Sequence, residues 1–227
     1  MAALTACHEE TDITTATATL ELELTRAGRP AATTRAVDAD LAIDILDDEA
    51  TLLQHYAPGN VPAKIVLAPG TFTLRAYTDN QDTWTAANNG RGEPCYAATT
   101  TFTLTEDMVQ RVKLDVPMTN YAVALQLPQY FNNLFPTYTF TLTSDTRTIT
   151  INEGQKAYFN ANNTFTYALR ATNIDGVTHA HSAIEYPDIE PGKLFTIRYS
   201  YDSDATSGGV DIVITDDMET DNTDIHL

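Results

Sequence analysis

The chain has 227 residues, 43% of them hydrophobic, which is enough to bury one large core or two small ones. Its formal net charge is −18 at pH 7, with 13 Lys and Arg against 31 Asp and Glu, so a nucleic-acid partner is excluded and an anionic membrane surface would repel it. Two cysteines exclude a disulfide framework, and without an apolar run of 18 residues no transmembrane helix is expected.

The first element is a terminus. Leu4-Thr5-Ala6-Cys7 resembles the bacterial lipobox, where small residues give a peptidase access to the bond before a thiol that accepts lipid. His8-Glu9-Glu10-Thr11-Asp12 follows directly and is similar to the acidic export tag of Bacteroidales surface lipoproteins. Residues 1–14 are therefore expected to be a signal-peptide stub and tether, with Cys7 as the lipidation site and the protein lipid-anchored on the extracellular face of the outer membrane.

From residue 15 onward, alternation with period two dominates. "TLELELT" (19–25) puts Leu20, Leu22 and Leu24 on one face and Glu21 and Glu23 on the other, as a half-buried strand requires. "LAIDIL" (41–46), "KIVL" (64–67), "TFTLRAY" (71–77), "TTFTLT" (100–105) and "RVKLDV" (111–116) continue the pattern. It resumes in "YAVALQL" (121–127), "YTFTLT" (138–143), "RTITI" (147–151), "TYALRA" (166–171), "LFTIRYSY" (194–201) and "VDIVIT" (210–215). Short helical turns are expected only at 47–56 and at 105–110, the latter capped by Thr105. About a dozen close-spaced strands predict an all-β chain of two tandem β-sandwiches, residues 15–117 and 118–227, divided where Pro117 interrupts pairing. "PGTFTLRAYTD" (69–79) reads against "PGKLFTIRYSYD" (191–202) as an internal repeat.

Nothing between the strands forms a catalytic constellation: nucleophile elbow, phosphate loop, dinucleotide fingerprint and zinc-protease motif are all missing from the sequence. His179, His181 and Glu185 offer a weak metal triad on one strand face, but solvated histidines are the ordinary outcome, and no metal or cofactor is expected. Trp84 lies in the polar loop 78–94; with Asp82 and Asn88 it has the composition of a carbohydrate platform, against the plainer role of covering a sandwich end. Tyr130, Phe131, Phe135 and Tyr138 divide between core capping and an exposed contact patch. Arg26, Arg29 and Arg35 after the first strand read as a plain loop or as a proteolytic opening point.

Four segments in order, "TRAGRPAATTRAVDADLAIDI" (25–45), "LAPGTFTLRAYTD" (67–79), "EPCYAATTTFTL" (93–104) and "YAVALQL" (121–127), resemble a Bacteroidales domain-of-unknown-function family (domain-of-unknown-function 4493 type). Its members are surface lipoproteins similar to fimbrillin-like adhesins and anchor subunits, and Cys95-Tyr96-Ala97-Ala98 departs from the family's usual Tyr and Gly there. The resemblance implies transthyretin-like or immunoglobulin-like topology and a non-enzymatic binding or adhesion module. The implied partners are a glycan or a host or bacterial surface protein. The competing expectation is a fimbrial subunit or anchor that assembles with other fimbrial subunits by β-strand donation.

Overall fold

The computed structural model describes residues 16–26, 37–180, 183–187, 189–200 and 209–215. Cys7, Arg29, Arg35, His181 and the acidic tail 216–227 lie outside the described residues.

Among the described residues sixteen strands follow one another: β1 (Ala18–Arg26), β2 (Leu41–Leu46), β3 (Leu52–Tyr56), β4 (Ile65–Leu67), β5 (Gly70–Thr78), β6 (Ala97–Leu104), β7 (Val109–Val116) and β8 (Asn120–Gln126). Then come β9 (Thr137–Ser144), β10 (Arg147–Ile151), β11 (Lys156–Asn160), β12 (Phe165–Thr172), β13 (Thr178–Ala180), β14 (Ile184–Tyr186), β15 (Leu194–Ser200) and β16 (Gly209–Thr215). The chain is all-β, and the strands form four sheets that pack in pairs. In the first pair, β4-β1-β7 faces β3-β2-β5-β6 over a core that includes Leu20, Leu24, Ile43, Leu74 and Tyr96. In the second, β11-β8-β15-β16 faces β10-β9-β12-β13, with β14 also on β12, over Tyr121, Phe140, Phe165 and Phe195.

The alternation of β1 decides its register. Leu20, Leu22 and Leu24 enter the core, and the outward Glu21 and Glu23 stand opposite Arg111 and Lys113 of the parallel strand β7, at 2.9 and 3.1 Å. A slip of one residue would expose the leucines and bury the acids. Each exposed pair is worth little by itself, so the leucines hold the strand and the charges fix its alignment.

The two sandwiches share one connection diagram. β1 pairs antiparallel with β4 and parallel with β7; β8 pairs antiparallel with β11 and parallel with β15. The chain β3-β2-β5-β6 has its counterpart in β10-β9-β12-β13, all antiparallel. The repeat read from the sequence falls elsewhere: residues 69–79 contain β5, the central strand matched by β12, whereas residues 191–202 contain β15, matched by β7. A Pro-Gly turn followed by a half-buried strand recurs wherever a sheet needs one, so local similarity picked out non-equivalent strands.

Neither stretch expected to be helical forms a helix: 47–51 is the turn of the β2–β3 hairpin, and 105–108 carries the chain from β6 in one sheet to β7 in the facing sheet. At 47–51 the Asp47 carboxylate accepts the N–H groups of Glu49 (3.0 Å) and Thr51 (2.7 Å), Ala50 takes a left-handed φ of 63°, and β3 follows. At 105–108 Met108 N–H donates to the Thr105 carbonyl and Asp107 sits at φ 61°. In both places acidic turn chemistry reverses the chain before a helix can nucleate. Strands β3, β11, β13 and β14 were not legible as alternating runs, being three to five residues long at sheet edges.

Arg26 ends β1 buried rather than open to a protease. Its Nε and Nη2 donate to Asp38 (2.9 Å) and Asp40 (2.6 Å), and the guanidinium lies 5.2 Å from the Tyr96 ring centroid. Burial works against the charge, but the hydrogen bond and charge of Asp38, with Asp40 and Tyr96, outweigh it and raise the pKa.

Candidate functional site

The loop between β5 and β6 contains the predicted ligand residues. It leaves the sheet at Asn80, whose carbonyl accepts Trp84 N–H at 2.8 Å, and turns back through Asn88, Asn89, Gly90 and Gly92, all at positive φ. Asparagine and glycine are the residues that tolerate this conformation, which is why "NNGRG" can make the reversal. The Asn88 amide closes the turn by donating to the Gly92 carbonyl at 3.0 Å.

Across the seam the second sandwich reaches back. Arg147 opens β10 and points into the loop, with its guanidinium carbon 5.1 Å from the Trp84 ring centroid and 5.0 Å from that of Phe159. It donates to the Gly90 and Tyr158 carbonyls, and burial lowers its pKa. Tyr158 N–H donates to the Arg91 carbonyl at 2.7 Å, a main-chain bond between sandwiches. Trp84 fills the remaining space: a Cβ built on Gly92 would lie 2.7 Å from its Cε3. Beside this, the buried Asn120 accepts Cys95 N–H at 2.9 Å and donates to the Glu93 carbonyl at 2.8 Å. The loop is thus a strap fastened to its neighbour.

The predicted residues are distributed accordingly. Trp84 is half-buried in the seam, Asp82 is exposed on the same loop, and Asn88 is exposed while its amide serves the turn. His179 in β13 stands opposite Ala171, and Glu185 in β14 stands opposite Thr166, five residues apart along β12 and so separated by about 17 Å. Glu185 accepts the Thr164 hydroxyl at 3.0 Å, and His179 makes a T-shaped contact with Phe135, so the two do not converge. A cleft of about 440 Å³ beside β1 is lined by Leu22, Val37, Val61, Pro62, Lys64 and Glu21. Of its lining acids, Glu21 is paired with Arg111, and Asp38 with Arg26.

The aromatic group of residues 130–138 splits. Phe131 is buried, and Phe135 and Tyr138 pack on the second core, whereas Tyr130 is 66% exposed at a left-handed φ of 65°. Exposed Leu134 lies beside it, joined through Ile174 N–H on the Leu134 carbonyl at 3.1 Å to the β12–β13 turn with exposed Ile174 and Val177. Sequence reading missed Ile174 and Val177, because two aliphatics in "NIDGVT" resemble the flanks of any turn. Strand direction puts this apolar tip at the far end of the second sandwich from the seam.

Cys95 is 2% exposed, and burial, followed by the charge of Glu93, pushes its thiol up to about 12. With so little thiolate, Cys95 should stay unalkylated by iodoacetamide at pH 8 in the folded chain and react fully in denaturant. Peptide mapping that finds Cys95 modified under native conditions would contradict the packing of the strap.

A family model described as "Domain of unknown function (DUF4493)" matches residues 8–227. No curated protein matches the chain. Among solved structures, the tip fimbrial protein Mfa3 from Porphyromonas gingivalis, with a C-terminal truncation, superposes with a TM-score of 0.52 at 9% identity, covering 87% of this chain and 99% of that one. A Bacteroides uniformis protein, provisionally described as a cell adhesion protein, gives 0.49 at 12% identity over 88% and 98%. The fimbrial anchor protein Mfa2 from Porphyromonas gingivalis gives 0.41 at 10% identity over 87% and 96%. The first of these shows a shared fold over nearly the whole of both chains.

Proposed function

The chain belongs to the family described as "Domain of unknown function (DUF4493)", and from that premise we propose that it is a non-enzymatic cell-surface protein acting as a binding or adhesion module. The observation that carries this is the likeness of its whole two-sandwich fold to a tip fimbrial protein. The architecture supports it: loops at the sandwich ends sit on a rigid support, which is how such scaffolds present recognition surfaces. Under this reading Cys7 bears the lipid that anchors the protein to the outer membrane, and Trp84, Asp82 and Asn88 are the proposed contacts for a glycan or a surface protein.

A glycan array probed with the purified chain and with Asp82→Ala and Trp84→Ala tests the reading. Binding that falls at least fivefold in Asp82→Ala is the expected outcome; binding unchanged in both variants removes this loop as the contact. Hydrolysis of an arrayed glycan overturns the non-enzymatic assignment. In the native host, a Cys7→Ser chain should be released from the membrane fraction.

The competing reading, a fimbrial subunit assembling by strand donation, draws on the position of β1 between β4 and β7, with Leu20, Leu22 and Leu24 in the core. Removing that strand would leave an apolar groove. Trypsin-type cleavage at Arg29 or Arg35 that yields an oligomer ladder would favour it over the adhesion module.

A further inference from the structure

The duplicated topology is uneven at one place. In the second sandwich the sheet β11-β8-β15 is extended by β16 on the outer edge of β15, whereas in the first the equivalent sheet β4-β1-β7 stops at β7. Among the described residues no strand pairs with the outer edge of β7.

The pairing registers match the two edges residue by residue. Thr19 stands opposite Val109 and donates to the Met108 carbonyl; Ala122 stands opposite Leu194 and donates to the Lys193 carbonyl, both at 3.0 Å. Val109 therefore corresponds to Leu194, Arg111 to Thr196, Lys113 to Arg198 and Leu114 to Tyr199. A strand sends the backbone groups of alternate residues to opposite edges. Since the Met108 carbonyl faces β1, the N–H and C=O groups of Val109, Arg111, Lys113 and Asp115 face outward. On that row the Gln110 amide donates to the Arg111 carbonyl at 3.2 Å.

We propose that this edge of β7 receives, antiparallel, an extended segment of a partner protein that alternates apolar residues with acids. The pattern comes from the equivalent pairing. On β15, Ile197 stands opposite Ile212 and Arg198 opposite Asp211. Carried to β7, this puts an apolar residue opposite the buried Val112 and an acid opposite Lys113, which is 65% exposed. Arg111, 60% exposed, extends the cationic row, and an acid there would complete a ladder begun by Glu21 and Glu23. Main-chain bonds would supply affinity and the alternation would supply specificity. The inference stands on topology, independent of the adhesion reading, and requires no removal of β1.

The experiment uses the intact chain labelled with ¹⁵N and a synthetic peptide of residues 209–215, capped at both ends. In the free chain the amides of Val109, Arg111, Lys113 and Asp115 should exchange rapidly, and saturating peptide should slow them at least tenfold. The Lys113→Pro substitution removes one outward N–H and none of the bonds to β1, so it should weaken peptide binding at least tenfold while the Val112 and Leu114 amides stay protected. A control needs no change in the protein. The peptide methylated on the nitrogens of Asp211 and Val213, whose counterparts face β15, should fail to bind, while methylation at Ile212 and Ile214 should be tolerated. Slow exchange of the four amides without peptide means that a segment of this chain already covers the edge, and overturns the proposal. So does peptide binding that perturbs other strands or survives both methylations. Concentration-dependent dimers that protect the same amides would assign the edge to a second copy and overturn the separate partner.

Discussion

Replacing Phe165 by Ala is expected to cost the second sandwich about 3–5 kcal/mol, the range for deleting a fully buried aromatic ring. Phe165 is 0% exposed, and its ring centroid lies 5.8 Å from those of Tyr121 and Phe195 and 5.6 Å from that of Tyr186. The surrounding rings come from three different strands and meet at tilted angles, an arrangement that cannot collapse into the space left behind without breaking its own contacts. A loss of this size is a large part of the stability of an ordinary domain. Because the two cores are separate clusters, the variant should show a second-sandwich transition moved to lower denaturant, with the first left near its original midpoint. Denaturant unfolding followed by amide resonances from each sandwich measures this. A shift below about 1 kcal/mol would mean that the ring cluster is not the organising centre of that core.

Gly92→Ala is expected to open the seam between the sandwiches. Gly92 adopts φ +81°, which costs an L-residue about 1–2 kcal/mol. The new Cβ would also lie 2.7 Å from Trp84 Cε3, closer than packed atoms approach, and 3.2 Å from Tyr158 Cβ, a tight contact. Trp84 is also held by Arg147, so relief has to come from separating the strap from β11. Gly90→Ala is the control: its φ is +82°, but nothing lies within 4 Å of a Cβ there, so it should show the backbone cost alone. Trp84 is the chain's single tryptophan and reports directly. Its emission should shift to longer wavelength in Gly92→Ala and Arg147→Ala and remain unchanged in Gly90→Ala, with small-angle scattering showing a broader range of interdomain distances in the first two. Equal behaviour of the two glycine variants would show that the contact with Trp84 does not hold the seam.

These two sites differ in how far the sequence disclosed them. Phe165 belongs to a run whose alternation states its face, so its burial follows from the pattern and from the aversion of an aromatic ring for water. Gly92 sits in a run of turn residues that says only that the chain reverses. That the reversal brings Trp84 against Arg147, 63 residues later in the chain, depends on how two sheets are placed. The same holds for Trp84 itself: composition made the loop look like an open platform, whereas one long-range cation fastens it to the neighbouring sandwich. Arg26 was read within a basic loop, and its burial against Asp38, Asp40 and Tyr96 needs the return of the chain, and of the residue just before β6, to the end of β1.

What the sequence determined by itself is the identity of most strands, the face each turns inward, and the all-β class, because side-chain alternation is a local consequence of the pleat. Strand order is different. The duplicated diagram, the strap across the seam and the edge of β7 that no described strand covers arise from pairing between segments tens of residues apart, and the local pattern is silent about partners: any half-buried strand can satisfy any other until the cores close. Only the assembled sheets decided that residues 69–79 and 191–202, alike in sequence, take different positions, and that among the described residues β15 received a neighbour where β7 did not.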